Sequence, residues 1–328
     1  MSDIANKIVD RRYEFVLLFD VCDGNPNGDP DAGNLPRIDA QSLQGLVTDV
    51  CIKRKIRNAI AAMSDGQAGR EIYFQTQDAV YEKRVLRLLH EEAYQQVNGG
   101  TVDKTAKAEK SGKDRMATAL KARAWMCRQF YDVRTFGAVM SLKEFNCGQV
   151  RGPVQITFAR SLDAIVPMEL AITRKSVATP EEAQEQIRKH DAITGTMGRK
   201  SVVPYGLYRD TGFVNPYLAR DTGFTYADLT LFFQAVQRMF ELDRSASRGL
   251  MSVRGIHVFQ HNSALGEAPA HLLLERVVTT ALGPEAAPRS FADYRANVCV
   301  RIEDLPAGVS YRDLSTLGVA EGTLPWAD

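Results

Sequence analysis

The sequence predicts an α+β fold: a sheet with helices on one face, of the split βαβ type, elaborated by insertions. Three observations predict it. Residues 13–21 (YEFVLLFDV) are nearly all apolar, residues 153–159 and 202–208 alternate in hydrophobicity around a polar stretch, and an amphipathic helical pattern after Thr225 leads into a further strand pattern at 252–259. The chain order is strand, helix, more helices, strand, insertion, strand, helix, strand.

The nearly all-apolar run at 13–21 marks a central strand covered on both faces. It ends in CDGNPNGDPDAGNLPR, whose Pro, Gly, Asn and Asp content makes a turn-rich loop. From about residue 39 to 60 the pattern is helical, and a second helix is expected over 80–95. Residues 98–113 (NGGTVDKTAKAEKSGK) hold almost no large apolar side chain and read as a mobile basic loop. A third helix, about 116–131, carries Leu120, Ala124, Cys127 and Tyr131 at helical spacing and runs into VRTFGAVM, read as a buried strand whose Gly137 permits close backbone packing.

In the strand at 153–159, Val154, Ile156 and Phe158 share one face; the strand at 202–208 alternates through Val203, Tyr205 and Leu207. Between them, Thr179 and Pro180 open the helical PEEAQEQIRKHDAI. Thr225 and Asp228 form a capping-box start for a helix with Leu229, Phe232, Phe233, Val236, Met239 and Phe240 on one face. Residues 252–259 and 297–302 read as strands.

With 328 residues, 45% of them hydrophobic, the chain can bury a large core. No signal-peptide pattern opens it and no apolar stretch approaches the ~20 residues of a membrane helix, so a soluble, cytoplasmic protein is expected. The five cysteines are scattered and never in CxxC spacing, which signals neither a disulfide framework nor a zinc site, and no cofactor is called for. The formal charge of +1 hides an uneven distribution: residues 101–128 carry eight Lys or Arg against three acids, residues 261–328 five against nine. A polyanionic partner is compatible with that, as is stacking of copies through basic and acidic ends.

Catalytic patterns are scarce: there is no GxSxG, HExxH, Walker loop or GxGxxG. The first loop places Asp23, Asn25, Asn27, Gly28, Asp29 and Asp31 at EF-hand positions 1, 3, 5, 6, 7 and 9, but position 12 is Asn34, not the closing Glu. A rigid turn presenting backbone NH groups and Asn side chains is the preferred reading. On the helix expected after it, Gln41, Gln44, Thr48 and Lys55 fall on one face, apart from Leu43, Leu46, Val47 and Val50. Amides, hydroxyls and a lysine can donate to phosphate and ribose oxygens without reading bases, although an ordinary solvated face has the same pattern. Lys53, Arg54, Lys55 and Arg57 in KRKIR offer a footprint for nucleic acid beyond complementing the helix dipole. VRTFGAVM is a partial match to an aromatic RNA-recognition signature through Arg134, Phe136, Gly137 and Val139. His257 and His261 are too weakly patterned for a metal pair.

The ordered segments NPNGDPDAGNLPRIDAQSLQG, TDVCIKRKIRN, DVRTFGAVMS, RGPVQITFARS and MGRKSVVPYGLYRDTGF resemble one family throughout. It is that of the Cas-seven backbone subunits of type I CRISPR Cascade complexes (RAMP superfamily), most closely the subtype I-C branch, over roughly residues 10–260. The resemblance implies a modified RNA-recognition-motif (ferredoxin-like) palm with helical fingers and an inserted thumb. The units would be residues 1–70, first part of the palm; 71–132, fingers with loop 98–113; 133–172, palm strands; 173–200, thumb; and 201–328, the rest of the palm and the C-terminal segment.

It further implies a non-enzymatic, crRNA-binding subunit that polymerises along the guide. Its partners would be neighbouring copies of itself, target DNA in an R-loop, the guide-processing end subunit, the large and small subunits, and a recruited helicase-nuclease. Gln41, Ser42 and Gln44 occupy the positions of the family's polar RNA-contacting motif, and Thr48 extends it. Met197, Arg199 and Lys200 lie near the return of the thumb, where Met197 would wedge between bases. The expected RNA-binding set is completed by Asn25, Asn27, Gly28 and Arg37 of the first loop and by Lys53, Arg54 and Lys55. The alternative is an endoribonuclease of the related type III backbone kind, acting through Asp23, Asp29 or Asp31. Lysines in loop 98–113 are expected to meet target or non-target DNA.

Overall fold

A computed structural model describes residues 2–64, 66–75, 85–99, 112–193 and 195–315. Its centre is β1 (Tyr13–Gly24), whose first nine residues are all buried, as a nearly all-apolar run demands, with Glu14 and Asp20 buried among them. After a short N-terminal helix α1 (Ser2–Ala5), the first loop forms a small hairpin of β2 (Gly28–Asp29) and β3 (Leu35–Pro36), followed by β4 (Gln44–Val47) and helix α2 (Asp49–Ser64). Helices α3 (Leu86–Val97), α4 (Gly112–Gln129) and α5 (Tyr131–Phe136) lead into β5 (Gly137–Met140) and β6 (Gly148–Arg151). Then come β7 (Val154–Ile156), β8 (Ala159–Ala164), β9 (Met168–Arg174), α6 (Pro180–His190) and the nineteen-residue β10 (Thr196–Val214). Helices α7 (Pro216–Thr222) and α8 (Tyr226–Leu242), strand β11 (Leu250–His261), α9 (Ala270–Leu274), β12 (Val277–Thr279), β13 (Val298–Val300) and β14 (Val309–Asp313) complete the described chain.

The main sheet runs β14-β11-β1-β10-β8-β4, with β7 and β9 also on β10, and every pairing is antiparallel. Counting β1, β7 with β8, β10 and β11 as the first to fourth principal strands, the order across the sheet is 4-1-3-2. Helices α2 and α8 cover one face. There Phe15 meets Phe232 and Phe233 edge to face, and Phe19 stacks on Tyr208 with centroids 5.3 Å apart. The capping box at Thr225 and Asp228 is formed, and Leu229, Phe232, Phe233, Val236, Met239 and Phe240 are all buried, as their spacing predicts.

The opposite face is covered by residues 262–308, a layer of short elements that leads into the edge strand β14. Val16, Leu18 and Phe259 pack under Leu273 and Val277, and Tyr205 and Leu207 under Tyr294. Polar anchors pin this layer: Asp163 accepts from Leu282 N (2.9 Å), Gly283 N (3.0 Å) and Tyr294 Oη (2.5 Å), and Arg209 donates to Leu274 O (2.7 Å). The long helices α2 and α8 therefore lie on one face, while the short α9 belongs to the C-terminal segment that gives the central strand its second cover.

A second core joins α3 and α4 to β5, through Leu89, Ala93, Met126, Phe130 and Met140. The stripe expected on the third helix is shifted: Ala122, Met126 and Cys127 face inward while Leu120 is exposed. The second expected helix begins at Leu86, and its residues 80–84 lie outside the described chain, as do residues 100–111 of the basic loop.

VRTFGAVM is half helix and half strand, and the RNA-recognition reading of it fails. Arg134 is buried in a forked ion pair with Asp228 (3.0 and 2.8 Å) and Phe136 is in the core. The strand half is as expected, with Ala138 and Met140 buried, and Gly137 permits the close packing: its φ is +84°, and a Cβ would come within 2.4 Å of Val150 O.

Candidate nucleic-acid interface

The helix expected from residue 39 begins at Asp49, and the reason is local. Asp39 Oδ1 accepts from Gln41 N (3.0 Å) and Ser42 N (3.3 Å), bending the chain into an Asx-type turn that Leu43 closes with φ +58°. Gln44 then enters β4, where Gly45 is required because a Cβ would lie 2.3 Å from Tyr208 Oη. Thr48 caps the helix, its Oγ1 accepting from Cys51 N (3.2 Å). The common helical face of Gln41, Gln44, Thr48 and Lys55 therefore does not exist.

What exists is a polar cradle on the β4–β8 edge. Gln41 and Ser42 are exposed; Gln44 Nε2 donates to Ser161 O (2.8 Å), and Gly45 N donates to Ser161 Oγ (2.8 Å). Arg160, on β8 opposite Leu46, donates to Asp39 Oδ2 (2.7 Å), so one carboxylate holds both the turn and the guanidinium. The Arg160 hydrogen bond, with those from Gln41 and Ser42, lowers the Asp39 pKa below its usual value. Sequence reasoning missed Arg160, whose one signal is a basic residue at an outward position of a short strand.

The first loop is built otherwise than expected. Asn25 is buried and donates to Asn34 O (2.7 Å), while Asn27 Oδ1 accepts from both Thr48 N and Thr48 Oγ1 (3.0 Å each). Asn25 thus ties the loop to itself, and the half-buried Asn27 braces it against the start of α2. Gly28 lies in β2 against Asn34, and Arg37 pairs with Asp29 at 3.4 Å. Asp29 also accepts from Asp31 N (3.2 Å). Among the described residues no three His, Cys, Asp or Glu side chains gather closely enough to hold a metal ion.

The basic run is largely structural. Lys55 is 1% exposed and pairs with Asp243 (3.0 Å), and burial pushes its pKa down, so it ties α2 to the end of α8 and offers nothing to a ligand. Lys53 pairs with Asp49 (2.9 Å), and Arg57 is buried against Asp132 (2.8 Å). Arg54 is half-buried on the same helix. His257 and His261 are buried in separate hydrogen bonds, to Tyr311 Oη (2.8 Å) and the Glu14 carboxylate (2.6 Å).

The insertion expected at 173–200 is an arm that is longer at both ends. β9 pairs with the first seven residues of β10, from Thr196↔Arg174 to Val202↔Met168, and α6 crowns it, capped by Thr179. Every residue of β9 is exposed. Met197, 75% exposed, and Arg199, paired with Glu169 at 3.6 Å, share one face of the arm; Lys200 is on the other, opposite Leu170. The arm and the cradle adjoin, because Ile165 N donates to Leu43 O (2.9 Å) three residues before β9 begins.

The family model for CRISPR-associated protein Cas7 matches residues 11–299. A CRISPR-associated protein Cas7 of Haloferax volcanii is 27% identical over 233 residues; the match covers 66% of this chain and 61% of that protein, less than two thirds of its length. Among solved structures, a chain of a "CRISPR RNA-guided surveillance complex, pre-nicking" has a TM-score of 0.51 at 15% identity, covering 84% of each chain, a likeness of fold. Among the described residues no helix is long and apolar enough to cross a membrane.

Proposed function

The chain belongs to the CRISPR-associated Cas7 family, and from that premise we propose that it is a crRNA-binding backbone subunit of the subtype I-C kind. In this reading it is cytoplasmic and non-catalytic, oligomerises along the guide, and supports pairing with target DNA. The 4-1-3-2 strand order with α2 and α8 on one face supports an RNA-recognition-motif type of palm. α3 and α4 would be its fingers and the β9–β10 arm its thumb.

The observation that carries the reading is the cradle at the foot of the arm, where Gln41, Ser42, Gln44 and Arg160 are gathered by Asp39 and Ser161. Neutral donors with one guanidinium suit a sugar-phosphate backbone held without base readout. Met197 and Arg199 on one face of the arm and Lys200 on the other offer contacts beyond the cradle, and the buried Lys55 and Asn25 with the half-buried Asn27 are support for it.

The test is to mix the purified chain with labelled guide-length RNA, with and without EDTA, and follow mass on a column and RNA integrity on a gel. Intact RNA and mass rising in multiples of one subunit are expected, and Ser42→Ala with Gln44→Ala should weaken both. Arg160→Ala should reduce the slope of log affinity against log salt by about 1. RNA cut at regular spacing only without EDTA would make the chain a nuclease acting through Asp23, Asp29 or Asp31.

A further inference from the structure

The strand formed by β7 and β8 carries one residue too many. Ile156 pairs with Gly212 and Arg160 with Arg209, so Thr157, Phe158 and Ala159 face only Asp210 and Thr211 on β10. That is a β-bulge, and its effect is to re-aim a side chain. Alternation from Val154 and Ile156 would bury Phe158. Instead Ala159 takes the inward position and Phe158 is 53% exposed.

The bulge is held in place. Thr157 N donates to Thr211 O (2.9 Å), Thr157 Oγ1 donates to Asp210 Oδ1 (3.1 Å), and the two threonine hydroxyls lie 2.9 Å apart. Two residues along, the Arg160 side chain is 51% exposed and fixed by Asp39, which also bonds the Gln41 and Ser42 amides. Tyr205, by contrast, lies under Tyr294, and Phe15 and Phe19 are in the core. The bulge therefore presents a phenyl ring to solvent beside a guanidinium on the edge that carries the polar cradle.

We propose that Phe158 is a stacking platform for a nucleobase of the bound single-stranded RNA, with Arg160 meeting the adjoining phosphate. The proposal rests on the RNA-binding reading above and deepens it. A phenyl face accepts any base, which suits a guide whose sequence varies, and an arginine on the neighbouring phosphate fixes the position without reading sequence.

The experiment uses the full chain and guide-length RNA carrying 2-aminopurine, whose fluorescence is quenched on stacking. Phe158→Leu keeps an apolar side chain without a π face, and Phe158→Trp keeps the face. The expected result is a loss of roughly 10-fold in affinity for Phe158→Leu, with quenching reduced, both restored in Phe158→Trp, and melting temperatures unchanged. Abasic RNA should bind all three proteins alike. If Phe158→Leu binds and quenches as the parent does, or loses abasic RNA equally, the platform is wrong while the RNA-binding reading stands; the latter result would point to an apolar protein contact between copies. If the parent chain binds no RNA, both fall together.

Discussion

Arg134 illustrates what spacing can and cannot reveal at the scale of single residues. Its position in VRTFGAVM suggests a ligand contact, yet its fork is closed on Asp228, ninety-four residues away, and it also donates to Cys127 O (2.7 Å) and Gly69 O (2.9 Å). Burial opposes its charge, but the hydrogen bonds and attraction of Asp228 outweigh that and raise its pKa. Removing one partner leaves the other charge buried and uncompensated, so Arg134→Met should cost about 3–5 kcal/mol in urea unfolding, partly recovered by adding Asp228→Asn. Asp210 carries a second prediction. Burial raises its pKa to about 7, with Asp49 adding to the shift and Thr157, Thr211 N and Lys53 opposing it. An acid whose folded pKa exceeds its unfolded value of 3.8 holds more protons when native between those limits, so stability falls as pH rises from about 4 to 7. Asp210→Asn should flatten that slope, on the order of a few kcal/mol across the window, in thermal melts at stepped pH. Residue types are legible in a sequence, but long-range partners such as these are set by the fold.

Among the elements, those with long periods were legible and short ones were not. The seventeen-residue α8 announced itself by its capping box and six inward apolar side chains, and α6 by Thr179 and Pro180. β4 did not, because four residues complete only two periods of a strand, and Gln44, Leu46 and Val47 fit a helix equally well. Gly45 was the overlooked sign: a glycine within an apparent helix marks a close backbone approach, here to Tyr208. Thr48 gives this a test. As the cap of α2 and the donor to Asn27 it joins the first loop to the helix, so Thr48→Ala should lower stability by about 1–2 kcal/mol in a denaturant titration. An unchanged midpoint would mean that the helix does not depend on this cap. The bulge at Thr157 belongs to the same scale, since an inserted residue is invisible to alternation until the partner strand's register is known.

At the scale of the whole molecule, the C-terminal layer was the least legible part, because its elements are three to seven residues long and its role lies in what it covers. The sequence did contain the demand for it: β1 is apolar on both faces, and α2 and α8 can satisfy only one. Ending the chain at His261 would uncover Val16, Leu18, Phe259, Tyr205 and Leu207, and strip Asp163 and Arg209 of their partners. At about 1.5–3 kcal/mol for each large apolar side chain, the exposure approaches or exceeds the ~5–15 kcal/mol by which a domain is ordinarily stable. The shortened chain should therefore be insoluble or expanded, whereas Tyr294→Phe, which removes one hydrogen bond to Asp163, should stay folded and lose about 1 kcal/mol. Gel filtration and thermal melting distinguish the cases. A truncated protein that elutes as a compact monomer and melts as the full chain does would mean that the outer face of the sheet tolerates water, and would reopen that face as a surface for RNA.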